Sequence, residues 1–134
     1  MKTHHIFISH SWAHSDDLQS LHYLLQKRGY FVYASYEVPK HAPINSQNGS
    51  YIKQKLRERI KNSNIMLALA GIYASHSEWM KWEIETAKEL EIPIVGIIPR
   101  GQERVSQIVF SNSIVDVRWN TESIVNAIRT YSKK

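Results

Sequence analysis

The chain has 134 residues, of which 43% are hydrophobic and 10% aromatic, which suits one globular domain with a core and excludes a disordered chain. It has no cysteine, so disulfides, thiolate nucleophiles and cysteine-ligated zinc are excluded. The net charge of +5 favours phosphate-bearing partners, nucleotides included. We expect a single domain over residues 1–134.

The N-terminal residues and the lengths of the apolar runs indicate where in the cell the protein is expected. The N-terminal residues lack the apolar stretch and cleavage site of a signal peptide. The longest apolar runs have the length of strands, well short of the roughly 20 residues that span a bilayer. Together with the absence of cysteine, these features lead us to expect a cytoplasmic protein without a membrane partner.

The first half of the chain alternates between strand and helix patterns. Residues 6–8 predict a short buried strand, and residues 15–29 predict a helix with a serine cap and a glycine stop. Residues 30–36 predict a second strand rich in aromatic side chains. Residues 37–49 form a long connection, and long connections are usually functional or mobile. Ser50 can cap the next helix.

The second half continues the alternation with three strands and three helical segments. In chain order these are a strand over residues 65–70, a helix from 77 to about 90, a strand over 94–98, a weak helical turn around 106–110, a strand over 114–117 and a helix over 121–131. The strands are continuous apolar runs, which is typical of a parallel sheet with helices on both faces. This predicts a flavodoxin-like, doubly wound α/β domain with five parallel strands, whose ligands bind beyond the carboxyl ends of the strands.

The helix that begins near residue 77 contains an unusual carboxylate. At about 100° per residue, its apolar side chains share one arc, consisting of Trp79, Met80, Ile84, Ala87 and Leu90. Glu83 falls inside this arc, one turn after Trp79. A carboxylate aimed at the core is unfavourable unless it is paired or lines a cavity, so Glu83 is a candidate functional residue. The alternative is a carboxylate at the helix edge that pairs with Lys88 or Arg100.

Several short motifs resemble those of TIR domains. The run Phe7-Ile8-Ser9-His10-Ser11 resembles their first strand and loop, and Trp79 with Glu83 resembles their Trp-x-x-x-Glu helix. The resemblance is closest to the bacterial TIR-like proteins of the Thoeris anti-phage system, and it spans essentially the whole chain. The chain departs from the wider family where His4 and His5 replace an acidic residue and where Met80 replaces a cysteine.

The resemblance implies an enzymatic activity. Enzymatic TIR domains cleave the bond between nicotinamide and ribose in NAD, and their Trp-x-x-x-Glu glutamate, here Glu83, is catalytic. Thoeris members make a signalling nucleotide, cyclic or conjugated, from the ADP-ribose part, and this nucleotide activates a separate effector. NAD is then the substrate, with no resident cofactor or metal, and self-association into TIR oligomers is expected.

Around an NAD substrate, the candidate binding residues are Ser9, His10, Ser11, Trp12, Tyr36, Lys40, Trp79 and Arg100. The aromatic members offer faces on which a nicotinamide or adenine ring can stack. Ser9, His10 and Ser11 end a strand and can donate hydrogen bonds to phosphate or ribose. Lys40 and Arg100 supply positive charge for a diphosphate.

Each candidate also has a structural interpretation. Trp79 and Trp12 can be packing residues, and Lys40 can be a solvated loop residue.

His10 and His14 have a spacing that suits a metal on a helix, but the segment between them resembles a loop, so we expect no metal site. The basic residues 53–61 include Glu58 and no aromatic side chain, which indicates a solvated helix face rather than a nucleic-acid site.

Other function classes are distinguished by sequence features. A non-catalytic TIR module that works through protein–protein interaction remains the alternative to the enzyme. A phospho-acceptor receiver domain needs an aspartate at the end of the third strand, where this chain has residues 67–71, Leu-Ala-Leu-Ala-Gly. The first loop lacks the Thr/Gly-rich phosphate cradle of a flavodoxin, and the P-loop motif is absent.

Overall fold

The computed structural model of this chain describes residues 3–10, 15–36, 49–71, 78–99 and 106–133. The strands are β1 (Thr3–Ser9), β2 (Val32–Ser35), β3 (Ile65–Leu69), β4 (Ile94–Ile97) and β5 (Val115–Val117). The helices are α1 (Ser15–Lys27), α2 (Gly49–Lys61), α3 (Glu78–Glu89), α4 (Gln107–Asn112) and α5 (Thr121–Tyr131).

The five strands form one parallel sheet in the order β2-β1-β3-β4-β5. This is the strand order of flavodoxin-like folds, and it confirms the predicted fold class. The order reverses at β1, because the chain moves from β1 to β2 on one side and then returns to β3 on the other. The carboxyl end of β1 therefore lies at the switch point of the sheet.

Two predicted strand starts differ from the structure by two or more residues. β2 begins at Val32 rather than at residue 30, because Tyr30 has a φ of 60°, a left-handed conformation that belongs to the turn after α1. β1 begins at Thr3 rather than at residue 6, because its first residues pair with β2 from Thr3↔Val32 onward. The long connection predicted over residues 37–49 lies outside the described residues up to the start of α2.

The core consists of two apolar layers, one on each face of the sheet. β1 supplies both, since Ile6 and Ile8 pack with α1 and α5 whereas Phe7 packs with α2, α3 and α4. All three side chains are fully buried. Successive side chains of a strand point to opposite faces, so Ser9 shares the face of Phe7 and points toward α3.

The basic stretch on α2 faces solvent, as the sequence predicts. Lys53, Lys55 and Arg59 are exposed, and Arg57 forms an ion pair of 3.1 Å with Glu89 of α3. Among the described residues, no helix has both the length and the apolar character needed to cross a membrane.

Gly96 permits a close approach between β4 and its neighbours. A Cβ atom added at this position would collide with Oδ1 of Asp116 on β5 and would lie 2.9 Å from Cγ1 of Val109 on α4. Asp116 is held in place there, because its Oδ1 accepts a hydrogen bond of 2.7 Å from Ser113 Oγ. Glycine leaves room for these two side chains, which would have to move to accommodate a Cβ atom.

Candidate active site

The central feature of the candidate site is a buried carboxylate joined to the sheet. Glu83 is 5% exposed, and its Oε1 accepts a hydrogen bond of 2.8 Å from Ser9 Oγ. Ser9 is the last residue of β1 and has no exposed surface. The pair therefore lies at the carboxyl end of the strand at which the sheet order reverses, where ligands of doubly wound folds bind.

The apolar side chains of α3 explain why a carboxylate is buried here. Met80, Ile84 and Ala87 are each fully buried, and they pack α3 onto the Phe7 face of the sheet. Glu83 lies within the same arc and is carried inward with them, one turn from Ala87. The inward direction predicted from the helical period is thus confirmed, and the alternative of a carboxylate at an exposed helix edge is not what the structure shows.

His10 follows Ser9 and is also buried, with 2% of its surface exposed. Its Nδ1 lies 3.3 Å from the carbonyl oxygen of Ile8, within reach of a hydrogen bond in the tautomer that carries a proton on Nδ1. The imidazole therefore belongs to the end of β1, close in the chain to the Ser9–Glu83 contact. Its predicted contact with a substrate stays a prediction.

The hydroxyl of Tyr36 is directed to a different part of β1. It lies 2.7 Å from Nδ1 of His5, and the two rings are 5.4 Å apart. His5 precedes Ser9 by four residues, or about 13 Å at ~3.3 Å per strand residue. The structure therefore does not bring the Tyr36 hydroxyl to the Ser9–Glu83 contact, and the predicted stacking role of the ring stays a prediction.

Trp79 is half-buried and combines packing with exposure. It packs against the apolar cluster of α2 and α3, and its ring lies 6.3 Å from that of Trp82 in an edge-to-face arrangement. The two indoles line a cleft of about 430 Å³ with Lys53, Glu78, Lys81 and Glu85. Trp82 was not among the predicted site residues, although its spacing of three residues from Trp79 places the two side chains next to each other on the helix surface.

A larger cleft lies away from Glu83. It has a volume of about 570 Å³ and is lined by α1 and by the start of α5, with Tyr23 and Trp119 among its residues. Both helices pack on the face of the sheet opposite α3. The buried carboxylate, rather than cleft size, therefore identifies the candidate active site.

Four predicted binding residues lie outside the described residues: Ser11, Trp12, Lys40 and Arg100. Their proposed contacts with NAD stay predictions. Within the described segments, no three histidine, aspartate or glutamate side chains are grouped so that they could hold a metal ion.

The family comparison matches most of the chain. Residues 7–104 match the family model described as Thoeris protein ThsB, TIR-like domain. The chain belongs to the Thoeris ThsB TIR-like family. The matched segment contains Ser9 and Glu83, and membership places this TIR-like chain in the Thoeris anti-phage system. A search of the curated proteins found no significant match.

Solved structures share the fold of this TIR-like chain. A 2-deoxyribosyltransferase from the psychrotolerant bacterium Bacillus psychrosaccharolyticus superposes with a TM-score of 0.64 at 16% identity, covering 91% of this chain and 90% of its own. The CMP N-glycosidase BcmB from Clostridium botulinum superposes with a TM-score of 0.59 at 15% identity, covering 95% of this chain and 99% of its own. At these identities the likeness is one of fold.

Proposed function

We propose that this TIR-like protein cleaves the bond between nicotinamide and ribose in NAD and converts the ADP-ribose part into a signalling nucleotide. In this proposal the nucleotide, cyclic or conjugated, activates a separate effector in anti-phage defence, and the enzyme acts in the cytoplasm as a self-associated oligomer. The observation that carries the proposal is the burial of Glu83 at the switch point, hydrogen bonded to Ser9.

A single carboxylate suits the chemistry of this bond. The nicotinamide of NAD carries a positive charge, so it departs as a neutral base with the electrons of the broken C–N bond. Positive charge then develops on the ribose, as in the oxocarbenium-like transition state of glycoside cleavage. A carboxylate fixed beside the ribose stabilises that charge, and more strongly in a buried site than in water.

The fold neighbours lend support at the level of reaction class. One is named a CMP N-glycosidase and the other a 2-deoxyribosyltransferase. Both names refer to chemistry at the bond between a sugar and a base, and cleavage of NAD at nicotinamide belongs to the same class. The net charge of +5 is also favourable for a dinucleotide substrate.

The test identifies the products of the reaction. The purified protein is incubated with NAD, with and without lysate from phage-infected cells, and the nucleotides are identified by mass spectrometry. We expect nicotinamide together with an ADP-ribose-derived nucleotide from the wild-type protein and about 100- to 1000-fold slower formation of both from Glu83→Gln. Glu85→Gln, an exposed carboxylate on the same helix, is the matched control and should retain activity. Intact NAD under every condition would instead support the non-catalytic interaction module.

A further inference from the structure

We infer that Ser9 is a positioning residue for Glu83 rather than a ligand of the substrate, an inference that rests on the proposed function. Its hydroxyl donates to one carboxylate oxygen, Oε1, at 2.8 Å. This contact fixes the orientation of the carboxyl group about its last torsion, which is otherwise broad.

The burial of the two side chains separates their roles. Ser9 has no exposed surface, whereas Glu83 retains 5%. Of the pair, only Glu83 therefore has surface that a substrate at the carboxyl edge of the sheet can touch. A residue that donates to phosphate or ribose would need accessible surface, which Ser9 lacks.

The elements that hold the two residues are rigid. The backbone of Ser9 is fixed by parallel pairing with β3, where it lies opposite Ala68. Glu83 is held by a helix whose neighbouring side chains, Met80 and Ile84, are fully buried. The hydrogen bond thus joins a fixed strand to a fixed helix, which is the arrangement that keeps a catalytic group in one geometry.

The kinetic test separates a positioning residue from a substrate ligand. Loss of a hydrogen bond to a charged group corresponds to a rate effect of about 10- to 100-fold. We expect Ser9→Ala to lower kcat for NAD by that factor while KM changes less than about twofold, because substrate contacts are retained. Ser63→Ala is the matched control, since Ser63 is also buried and its hydroxyl donates at 2.8 Å to the carbonyl of Arg59. The control should leave kcat unchanged.

A double-mutant cycle on stability tests the contact independently of activity. The free energy of unfolding is measured for the wild type, Ser9→Ala, Glu83→Ala and the double variant. We expect Ser9→Ala to destabilise the Glu83→Ala protein less than it destabilises the wild type. Strictly additive effects would overturn the inference.

The kinetic outcomes are equally decisive. If Ser9→Ala raises KM and leaves kcat unchanged, Ser9 is a substrate ligand. If Ser9→Ala has a normal kcat, or loses no more kcat than Ser63→Ala does, the role of Ser9 is only structural. Each of these results overturns the inference and leaves the proposed function intact. A wild-type protein that never turns over NAD overturns the proposed function, and the role of Ser9 with it.

Discussion

The hydroxyl of Tyr36 lies 2.7 Å from Nδ1 of His5, which links the end of β2 to the interior of β1. A backbone hydrogen bond strengthens the same link, because the Tyr36 amide donates to the carbonyl of Ile6 at 2.8 Å. The guanidinium of Arg59 on α2 also donates to the carbonyl of Tyr36, at 2.9 Å. Tyr36 is predicted from the sequence to stack on the substrate. Its hydroxyl, however, contacts β1 and helps to hold the sheet together.

Removing the Tyr36 hydroxyl should destabilise the fold without changing KM for NAD. Tyr36→Phe keeps the ring and deletes the hydrogen bond, so we expect a loss of about 0.5–1.5 kcal/mol in the free energy of unfolding. Chemical denaturation measures this loss, and Tyr30→Phe is the control because Tyr30 is 83% exposed. KM for NAD should be unchanged; an increase would show that the hydroxyl touches the substrate.

Gly96 should not tolerate a side chain. Because a Cβ atom there meets the side chains of Asp116 and Val109, Gly96→Ala forces both side chains to move, and we expect a loss of about 1–3 kcal/mol in the free energy of unfolding, measured by thermal or chemical denaturation. Gly29→Ala is the matched control, since an added Cβ meets nothing within 4 Å there. Equal stability of the two variants would contradict the close approach of β4 and β5.

The first turn of α5 depends on its cap. The side chain of Asn120 accepts a hydrogen bond of 2.9 Å from the backbone amide of Ser123. Asn120→Ala should lower the free energy of unfolding by about 1 kcal/mol, because that amide loses its partner. Asn126→Ala, at an exposed position in the middle of the same helix, should have no such cost. Urea titration of both variants distinguishes the cap from a general effect of asparagine loss.

The sequence predicted the fold because apolar runs and helical periods report local geometry directly. The last helix has the bounds that the pattern predicts, residues 121–131, and the sheet has the five parallel strands that the alternation of strands and helices predicts. The start of β2 was missed by two residues because the left-handed conformation of Tyr30 is set by its turn rather than by its side chain. Local patterns predict which elements exist better than where they begin.

The candidate site was only partly predictable. The helical period gave the inward direction of Glu83, but it could not give its partner, because Ser9 lies 74 residues away and meets it only through the packing of α3 on β1. The same limit applies to Tyr36, whose pairing with His5 follows from the register of β2 against β1. The hydrophobic period of a helix or strand shows to which face a side chain points. Which residue that side chain contacts on another element depends on how the whole chain folds.

The rate of nicotinamide release from NAD by the wild type, Glu83→Gln and Glu85→Gln tests the central claim most directly. Each variant differs from the wild type by one carboxylate, and the folded fractions of the three proteins can be matched by circular dichroism before the assay. We expect Glu83→Gln to lose about 100- to 1000-fold in rate, the scale for removing one group that stabilises transition-state charge, while Glu85→Gln stays at the wild-type rate. Equal rates for the wild type and Glu83→Gln would contradict the assignment of the buried carboxylate as the catalytic group.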